Sequence, residues 1–365
     1  EQIVDTMNQL FGRHAGFRAN HAKGIVAEGT FAPSGAGQAL SSTALFRSGT
    51  LPVTVRFSDA TGLPTRPLGR TGVHVSILCL GGWHVGDVKD HGEAVRIMHA
   101  ALSEGMTFFD NCWDYHDGGA EEIMGRALSA DGGKWRRACF LMTKVCARDA
   151  RGVRSQVEDS LRRLRTDVID LIQMHEINFD NDPEWVVEQG GLEELLKIQR
   201  EGKVRHVGFT GHKSPHIHLK MMPVHQWATV QMPINVCDQF YRSFAKDVIP
   251  AAQKIGAGVI GMKSLGGGSL AGGGGKIVKD KVATVEECIR FALSQPVASL
   301  VTGIDSMEVF RQNLKIGREY RPFEAAELAA LLAKVRPQAG DGRHERFKST
   351  IDFEGPYHRR QHGFA

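Results

Sequence analysis

Residues 139–176 have the sequence CFLMTKVCARDARGVRSQVEDSLRRLRTDVIDLIQMHE and contain two apolar strands joined by an amphipathic helix. The strands begin near Cys139 and Val168, and both are continuous apolar runs, as is typical of parallel strands covered on both faces. One face of the helix between them carries Val153, Val157, Leu161 and Leu164. This stretch therefore predicts a strand–helix–strand unit of a parallel sheet.

The same alternation extends over most of the chain. Strand candidates recur roughly every 32 residues. They begin near Val75, Thr107, Cys139, Val168, Val204, Thr229, Val259 and Ser299. Eight such units in about 250 residues predict an α/β fold, a (β/α)8 TIM barrel. The alternative is a doubly wound open sheet, but that fold requires a GxGxxG turn after its first strand, and residues 79–83, CLGGW, lack it.

The regular alternation divides the chain into three segments. We expect the barrel to span residues 65–340, between a short N-terminal segment (1–64) and a C-terminal tail (341–365). The N-terminal segment is too short to support a core of its own. The tail is rich in Arg and His, which favours a solvated segment; the alternative is that it folds over the barrel mouth and shapes a substrate pocket.

Composition excludes several functional classes. The 365 residues include 45 Lys and Arg against 41 Asp and Glu, a net charge of +4, which is too small to favour nucleic acid or an anionic membrane as a partner. No apolar run approaches the roughly 18 residues that span a bilayer. Six scattered cysteines, without a CxxC pair, predict reduced thiols in a cytoplasmic protein. The oligomeric state is left open.

No metal site is expected either. His358 and His362 have the i,i+4 spacing of a helical ligand pair. However, Gly355, Pro356 and Gly363 leave little room for a helix, and the neighbouring sequence offers no carboxylate or thiol to complete a ligand set.

Polar side chains follow three successive strands of the predicted barrel. Asp110 ends the second strand and Tyr115 lies in the loop after it, Lys144 ends the third strand, and His175 ends the fourth. Strand ends of a TIM barrel meet at one mouth. There, an ammonium held by Asp110 would lower the pKa of Tyr115, and a neutral His175 could donate a hydrogen bond to a carbonyl. Each residue alone is more often structural, but together they favour carbonyl reduction.

Residues 65–340 resemble the aldo-keto reductase superfamily. Pro67–Ser76 is similar to the hairpin that closes the bottom of the family's barrel. The family's catalytic residues match, in order and with similar spacing, Asp110, Tyr115, Lys144 and His175. The resemblance implies reduction of small aldehydes or ketones by hydride transfer from NAD(P)H, with Tyr115 as the general acid.

The resemblance also implies where the cofactor binds. Thr210 and Gln231 align with groups that hold the nicotinamide carboxamide, and Gln312-Asn313 resembles the pair that contacts adenine. The Gly-rich loop after the seventh strand resembles the family's pyrophosphate loop, because glycines let backbone N–H groups approach an anion. The implied cofactor-binding residues are Thr210, Gln231, Met262, Lys263, Ser264, Leu265, Gly266, Gly267, Gly303, Ser306, Gln312 and Asn313.

Two departures from the family pattern bear on the cofactor. Met262 stands where an aromatic side chain usually stacks on the nicotinamide, although a thioether also packs on a ring face. Basic residues that grip a 2′-phosphate are missing from their usual place after Gly303. NADP is therefore the expected cofactor by family default, and NAD stays open.

Residues 1–64 resemble the N-terminal part of catalase-like haem peroxidases. His21–Gly24 with Glu28–Phe31 is similar to the stretch that holds the distal His, and Val53–Ser58 to a core strand whose Arg lies near a haem propionate. The likeness stops near Pro64, and the chain contains no Arg-x-x-x-Tyr motif for a proximal ligand. We interpret the segment as a fused remnant, either poorly ordered or lying against the outside or bottom of the barrel.

The sequence therefore leaves three candidate functions. The first is an NAD(P)H-dependent carbonyl reductase. The second is a non-catalytic nicotinamide-binding sensor or interaction subunit, which would keep the cofactor cradle without turnover. The third is a haem peroxidase built on the N-terminal segment.

Overall fold

The structure, a computed structural model, describes residues 56–57, 61–267 and 275–363. The strands are β1 (Arg56–Phe57), β2 (Pro64–Pro67), β3 (His74–Ser76), β4 (Leu78–Gly81), β5 (Phe108–Asp110), β6 (Phe140–Val145), β7 (Ile169–Met174), β8 (Val204–Thr210), β9 (Thr229–Pro233), β10 (Gly258–Met262) and β11 (Ser299–Gly303). Strands β4 to β11 are parallel to their neighbours and close into a barrel in chain order, because β11 pairs with β4. The predicted TIM barrel is confirmed, and the open sheet is excluded.

Helices follow the barrel strands, and most of them cover the outer faces of the strands. They are α1 (Gly82–Gly86), α2 (His91–Ser103), α3 (Gly119–Ala138), α4 (Ala150–Leu164), α5 (Asp182–Glu188), α6 (Gly191–Arg200), α7 (Pro215–Met221), α8 (Phe244–Lys254), α9 (Lys276–Lys279), α10 (Val285–Ser294), α11 (Met307–Arg318), α12 (Ala325–Ala339), α13 (Arg346–Ser349) and α14 (Pro356–Gln361). The main core lies between this helical layer and the strands. None of the helices in the described ranges is both long and apolar enough to cross a bilayer.

Seven of the strand starts lie within a residue or so of the predicted positions, and the first does not. Val75 belongs to β3, which pairs antiparallel with β2, and the first barrel strand begins at Leu78. Residues 75–80, VSILCL, are apolar except for Ser76, so hydrophobicity alone did not separate a hairpin strand from the barrel strand that follows it.

The β2–β3 hairpin closes the N-terminal end of the barrel. Leu68 and Val75 are buried in a cluster with side chains from the barrel interior. Arg70 donates hydrogen bonds to the backbone oxygens of Ile255 at 2.9 Å and Gln226 at 2.6 Å, which precede β10 and β9. The hairpin therefore covers the end of the barrel opposite the carboxyl ends of the strands, as the resemblance implied.

Most of the catalase-like segment lies outside the part of the chain that the structure describes. Residues 1–55 and 58–60, which include His21, lie outside the described residues, as does 268–274 of the Gly-rich loop. The described strand β1 pairs with β2, with Arg56 opposite Thr65 and Phe57 opposite Pro64. This part of the segment therefore extends the hairpin sheet at the bottom of the barrel.

Two glycines in the β2–β3 turn test how tightly the hairpin packs against the barrel. Gly69 and Gly72 both have positive φ, but a Cβ on Gly69 would lie 2.3 Å from the backbone nitrogen of Gly258, whereas a Cβ on Gly72 would meet open space. We expect Gly72→Ala to lower the free energy of unfolding by about 1 kcal/mol, from backbone strain alone. Gly69→Ala adds a steric clash with backbone and should lower it by about 3 kcal/mol. Denaturant unfolding of the two variants measures the difference; equal losses would contradict the tight fit.

Candidate active site

Four polar side chains from successive strand ends meet at the carboxyl end of the barrel. Lys144 on β6 forms an ion pair with Asp110 at the end of β5. The Lys144 ammonium also donates to the backbone oxygen of Asn111 at 2.7 Å and to Oη of Tyr115 at 3.3 Å. The His175 ring packs edge-on against the Tyr115 ring, with 5.9 Å between centroids. The structure thus brings together the four residues that the sequence singled out.

The electrostatics of Tyr115 differ from the expectation. Burial, followed by the negative charge of Asp110, raises the pKa of Tyr115 well above its ordinary value of 10.0. The expected lowering by Lys144 is therefore wrong: the charges of Asp110, Asp114 and Glu176 all raise the pKa of the phenol, and the sequence did not place the last two near it. The hydroxyl keeps its proton through neutral pH.

The charges of the other two groups agree with the expectation. Burial opposes the Lys144 ammonium, but the charge of Asp110 outweighs it and raises the pKa of Lys144. Burial, together with the charge of Lys144, holds the pKa of His175 well below 6.5. At neutral pH the site therefore combines a charged ammonium, a protonated phenol and a neutral imidazole.

Thr210 and Gln231 lie side by side on β8 and β9, and both are buried. The Gln231 amide nitrogen lies 3.7 Å from Sδ of Met262 on β10. Oε1 of Gln231 is buried and has no hydrogen-bond partner among the described residues. The amide is therefore not a satisfied core group. Its free oxygen fits an incoming N–H donor, such as the carboxamide of a nicotinamide.

The first part of the Gly-rich loop follows β10 directly. Ser264 is buried, and Gly266 and Gly267 both have positive φ. A Cβ on Gly266 would lie 2.7 Å from the backbone oxygen of His344, and one on Gly267 would lie 3.1 Å from the ring of Phe347. The backbone of Leu265 accepts a hydrogen bond from Ile277 at 3.1 Å. This part of the loop is thus fixed beneath the C-terminal segment.

The remaining cofactor candidates are spread along β11 and α11. Ser306 caps α11, since its hydroxyl accepts a hydrogen bond from the Val309 backbone N–H at 3.3 Å. A Cβ on Gly303 would lie 2.6 Å from the His84 ring, so close packing requires glycine there. Gln312 and Asn313 point differently: Asn313 is buried, whereas Gln312 is exposed and lines a cavity of about 430 Å³ with Lys315. Gln312 and Asn313, the pair expected to contact adenine, therefore do not lie on one surface of the structure.

The C-terminal segment, residues 341–363, folds over the barrel mouth. The Lys263 ammonium lies between the rings of Phe347 and Phe353, 5.6 Å and 5.2 Å from their centroids. The ammonium of Lys348 is buried and contacts Asp238 at 2.6 Å and Glu345 at 2.8 Å. The prediction of a solvated tail is wrong, because its aromatic side chains and a buried ion-pair network hold it on the barrel.

The two arguments against pairing His358 with His362 are also overturned. Residues Pro356–Gln361 form α14 despite the neighbouring glycines, with Gly355 as the cap residue. The Glu176 carboxylate supplies the missing acidic group, 2.9 Å from Nδ1 of His358 and 3.8 Å from Nε2 of His362. Glu176 follows His175 in the chain, so only the folding of the tail places it beside these histidines.

Sequence reasoning missed a cluster on the far side of the His175 ring. Sγ of Cys112 lies 3.2 Å from Nδ1 of His175, Sγ of Cys146 lies 3.5 Å from it, and Oδ1 of Asp114 lies 3.6 Å from it. A signal was present: Cys112 and Cys146 each stand two residues after a strand-end residue of the site, Asp110 and Lys144. All six cysteines are buried and free.

Comparison with known proteins gives one family. The model of the Aldo/keto reductase family matches residues 77–282, more than half of the chain. YrpG, an uncharacterised oxidoreductase of Bacillus subtilis, is 34% identical over 241 residues, 60% of this chain and 70% of its own length. L-Galactose dehydrogenase of Arabidopsis thaliana is 28% identical over 221 residues, 58% of this chain and 68% of its own length.

Solved structures share the fold. Aldo-keto reductase AKR11C1 from Bacillus halodurans, in its holo form, superposes with a TM-score of 0.62 at 24% identity and covers 77% of this chain and 99% of its own. Glycerol dehydrogenase AKR11B4 from Gluconobacter oxydans superposes with a TM-score of 0.59 at 23% identity, covering 78% and 97%. At these identities the likeness supports the barrel architecture.

The contact between His358 and Glu176 predicts a pH-dependent attachment of the tail. Burial opposes the charged imidazole, but contact with Glu176 raises the pKa of His358 above 6.5. The stabilisation is therefore complete below about pH 6.5 and is lost as pH rises through the folded-state pKa. We expect hydrogen exchange in α14 to accelerate, relative to the barrel helices, as pH increases over that range.

His358→Gln is the control for this effect, because it keeps a polar side chain and removes the titration. In that variant the exchange of α14 relative to the barrel should no longer depend on pH. A parent protein whose α14 protection stays constant from about pH 6 to about pH 9 would contradict the role of the ion pair.

Proposed function

The chain belongs to the aldo/keto reductase family of oxidoreductases, and we propose that it reduces aldehydes or ketones with NADPH or NADH, using Tyr115 as the general acid. The observation that carries the proposal is the contact of the Tyr115 hydroxyl with the Lys144 ammonium at 3.3 Å, beside the neutral imidazole of His175. A proton donor next to a hydrogen-bond donor for the carbonyl oxygen is the arrangement that carbonyl reduction needs.

The residues on the cofactor side fit a reduced nicotinamide, which supplies a hydride when bound. The unpaired Oε1 of Gln231 would accept a hydrogen bond from the carboxamide, with Thr210 beside it on the next strand. The thioether of Met262 offers an apolar surface to a ring. Gly266 and Gly267 have positive φ, a backbone conformation that occurs in anion-binding loops, although the Gly266 N–H donates to the backbone oxygen of Lys263 at 3.0 Å.

Tyr115 holds the proton that the product alcohol requires. Its raised pKa keeps the proton on Oη until negative charge develops on a carbonyl oxygen nearby. The Lys144 ammonium then stabilises the phenolate as the proton leaves, and Asp110 keeps that ammonium charged and in place.

His175 orients the carbonyl. The thiol of Cys112 faces Nδ1 at 3.2 Å, and a hydrogen bond donated by this thiol to Nδ1 would leave the proton of the neutral imidazole on Nε2. Nε2–H is then the donor that a substrate carbonyl would meet. The C-terminal segment over the mouth would exclude water from this donor and from the Tyr115 hydroxyl.

A second candidate is a nicotinamide-binding sensor. The observation favouring it is the packing of Phe347 and Phe353 on Lys263, which covers the mouth. Such a protein would bind cofactor through the same cradle and turn over negligibly. The haem peroxidase candidate depends on residues outside the described ranges and stays a prediction from sequence.

Tyr115→Phe tests the reductase role. Loss of the phenolic proton should lower kcat by about 10²- to 10⁴-fold, while the Kd for the cofactor stays within about twofold of the parent value. The measurement is oxidation of NADPH and of NADH with a panel of aldehydes and ketones. The control is Tyr320→Phe, since the Tyr320 hydroxyl donates to the backbone of Leu293, away from the mouth.

Each outcome of this assay separates the candidates. If the parent turns over and Tyr115→Phe does so equally fast, Tyr115 is not the acid. If neither turns over but both change cofactor fluorescence, the sensor takes precedence.

Gln231→Met tests the carboxamide contact independently of turnover. We expect a cofactor Kd about tenfold higher, because a hydrogen bond is worth about 1.5 kcal/mol. The unfolding free energy should fall by no more than about 1 kcal/mol, from loss of the hydrogen bond between the Gln231 side chain and Asp110, because Oε1 has no partner among the described residues. The contrast is Gln156→Met, which removes the acceptor of the Cys146 and Ala147 backbone N–H groups and should lower the unfolding free energy by about 2 kcal/mol. Fluorescence titration and thermal unfolding measure the two effects; an unchanged Kd in Gln231→Met would remove Gln231 from the cofactor site.

A further inference from the structure

We propose that Cys112, Cys146, His175 and Asp114 form a binding site for a thiolate-preferring divalent cation, of which Zn²⁺ is the representative. Their donor atoms, two thiol sulfurs, one imidazole nitrogen and one carboxylate oxygen, all lie within 4.8 Å of one another. The four residues come from three different strand ends, so the site exists only in the folded barrel.

The separations match those of a tetrahedral zinc centre. With Zn–S bonds of about 2.3 Å and Zn–N or Zn–O bonds of about 2.0 Å, tetrahedral angles place S and N about 3.5 Å apart and N and O about 3.3 Å apart. The observed separations from Nδ1 of His175 are 3.2 Å and 3.5 Å to the sulfurs of Cys112 and Cys146, and 3.6 Å to Oδ1 of Asp114. The other pairs of donor atoms lie within 4.8 Å of one another, so a cation could enter with side-chain shifts of about 1 Å or less.

An unpartnered atom points independently to a ligand at this position. Asp114 is only 6% exposed, and its Oδ1 has no hydrogen-bond partner among the described residues. Leaving a buried carboxylate oxygen unpaired is unfavourable, and a cation in the cluster would satisfy it. Cys112, Cys146 and His175 are also buried, so a bound cation would be shielded from competing water ligands.

The ligand set defines the class of cation. Two thiolates with an imidazole select Zn²⁺ and similar ions over Mg²⁺ and Ca²⁺, which prefer oxygen ligands. Four protein ligands fill a tetrahedral shell, so the cation would hold the loops after β5, β6 and β7 together without an open coordination position. A cavity of about 340 Å³, lined by Asp114, Trp113 and Tyr357, borders the cluster on the side of Asp114.

Cation binding is balanced by the release of the two thiol protons. The cation forms a bond to each sulfur while each thiol loses its proton to solvent, and no electrons are transferred. Because the cation binds thiolates and competes with protons for them, its affinity should increase with pH.

A cation bound at this site would also hold the imidazole ring of His175 in place. A cation on Nδ1 replaces the Cys112 thiol proton there and keeps the imidazole proton on Nε2, the nitrogen assigned to the substrate carbonyl. This consequence rests on the proposed function, whereas the cation site itself does not.

The test uses Co²⁺ as the probe and the full chain, reduced and freed of metal, without cofactor or substrate. Titration should saturate with a thiolate-to-cobalt charge-transfer band and with d–d bands of the intensity typical of four-coordinate cobalt, and Zn²⁺ should displace both. A failure of the proposed reductase activity leaves this absorption unchanged, so the two proposals fail separately.

Variants locate the site. Cys112→Ala and Cys146→Ala should each weaken Co²⁺ binding about 100-fold or more and remove about half of the charge-transfer intensity. The matched control is Cys288→Ala, a buried cysteine on α10, which should leave both bands unchanged. Asp114→Asn removes the carboxylate ligand but keeps the size of the side chain, so it tests the site even if the cysteine variants misfold. Circular dichroism checks the folding of each protein.

The proposal is overturned if Co²⁺ gives only weak six-coordinate bands without charge transfer in the reduced parent protein. It is equally overturned if Cys288→Ala loses the bands to the same extent as Cys112→Ala, since the cation would then bind elsewhere.

Discussion

The ion pair between Lys144 and Asp110 is the interaction on which the rest of the site depends. The two side chains are 1% and 4% exposed, so each charge is tolerated only because the other lies beside it. Their adjacency requires β5 and β6 to be neighbours in register, with Asp110 opposite Met142. A barrel closed by the pairing of β11 with β4 has no free edge at which this register could slip.

Several charged side chains lie close together in this site. Three carboxylates lie near the Tyr115 phenol, and the positive charge of Lys144 does not prevent a rise in its pKa. A phenol that stays protonated at rest suits a group that gives up its proton only when an oxyanion forms. The same burial that keeps Tyr115 protonated keeps the imidazole of His175 neutral. One physical cause, exclusion of water from the barrel mouth, thus sets both protonation states.

The C-terminal segment completes that exclusion and connects the functional parts of the mouth. Its histidines meet Glu176 beside His175, while Phe347 packs on Gly267 of the Gly-rich loop. The buried Lys348 fastens the segment to Asp238, beyond β9. One segment therefore contacts both the strand ends that carry His175 and the Gly-rich loop.

The sequence by itself determined the barrel and the four polar strand ends, because continuous apolar strands and amphipathic helices report burial locally and every strand ends at the same rim. It did not determine the boundary at Val75, the docking of the tail, the direction of the Tyr115 pKa shift or the cluster of Cys112 and Cys146. These depend on which distant side chains share a small volume. Only the tertiary structure decided them, because burial and Coulomb interactions depend on distances in space, which spacing along the chain does not give.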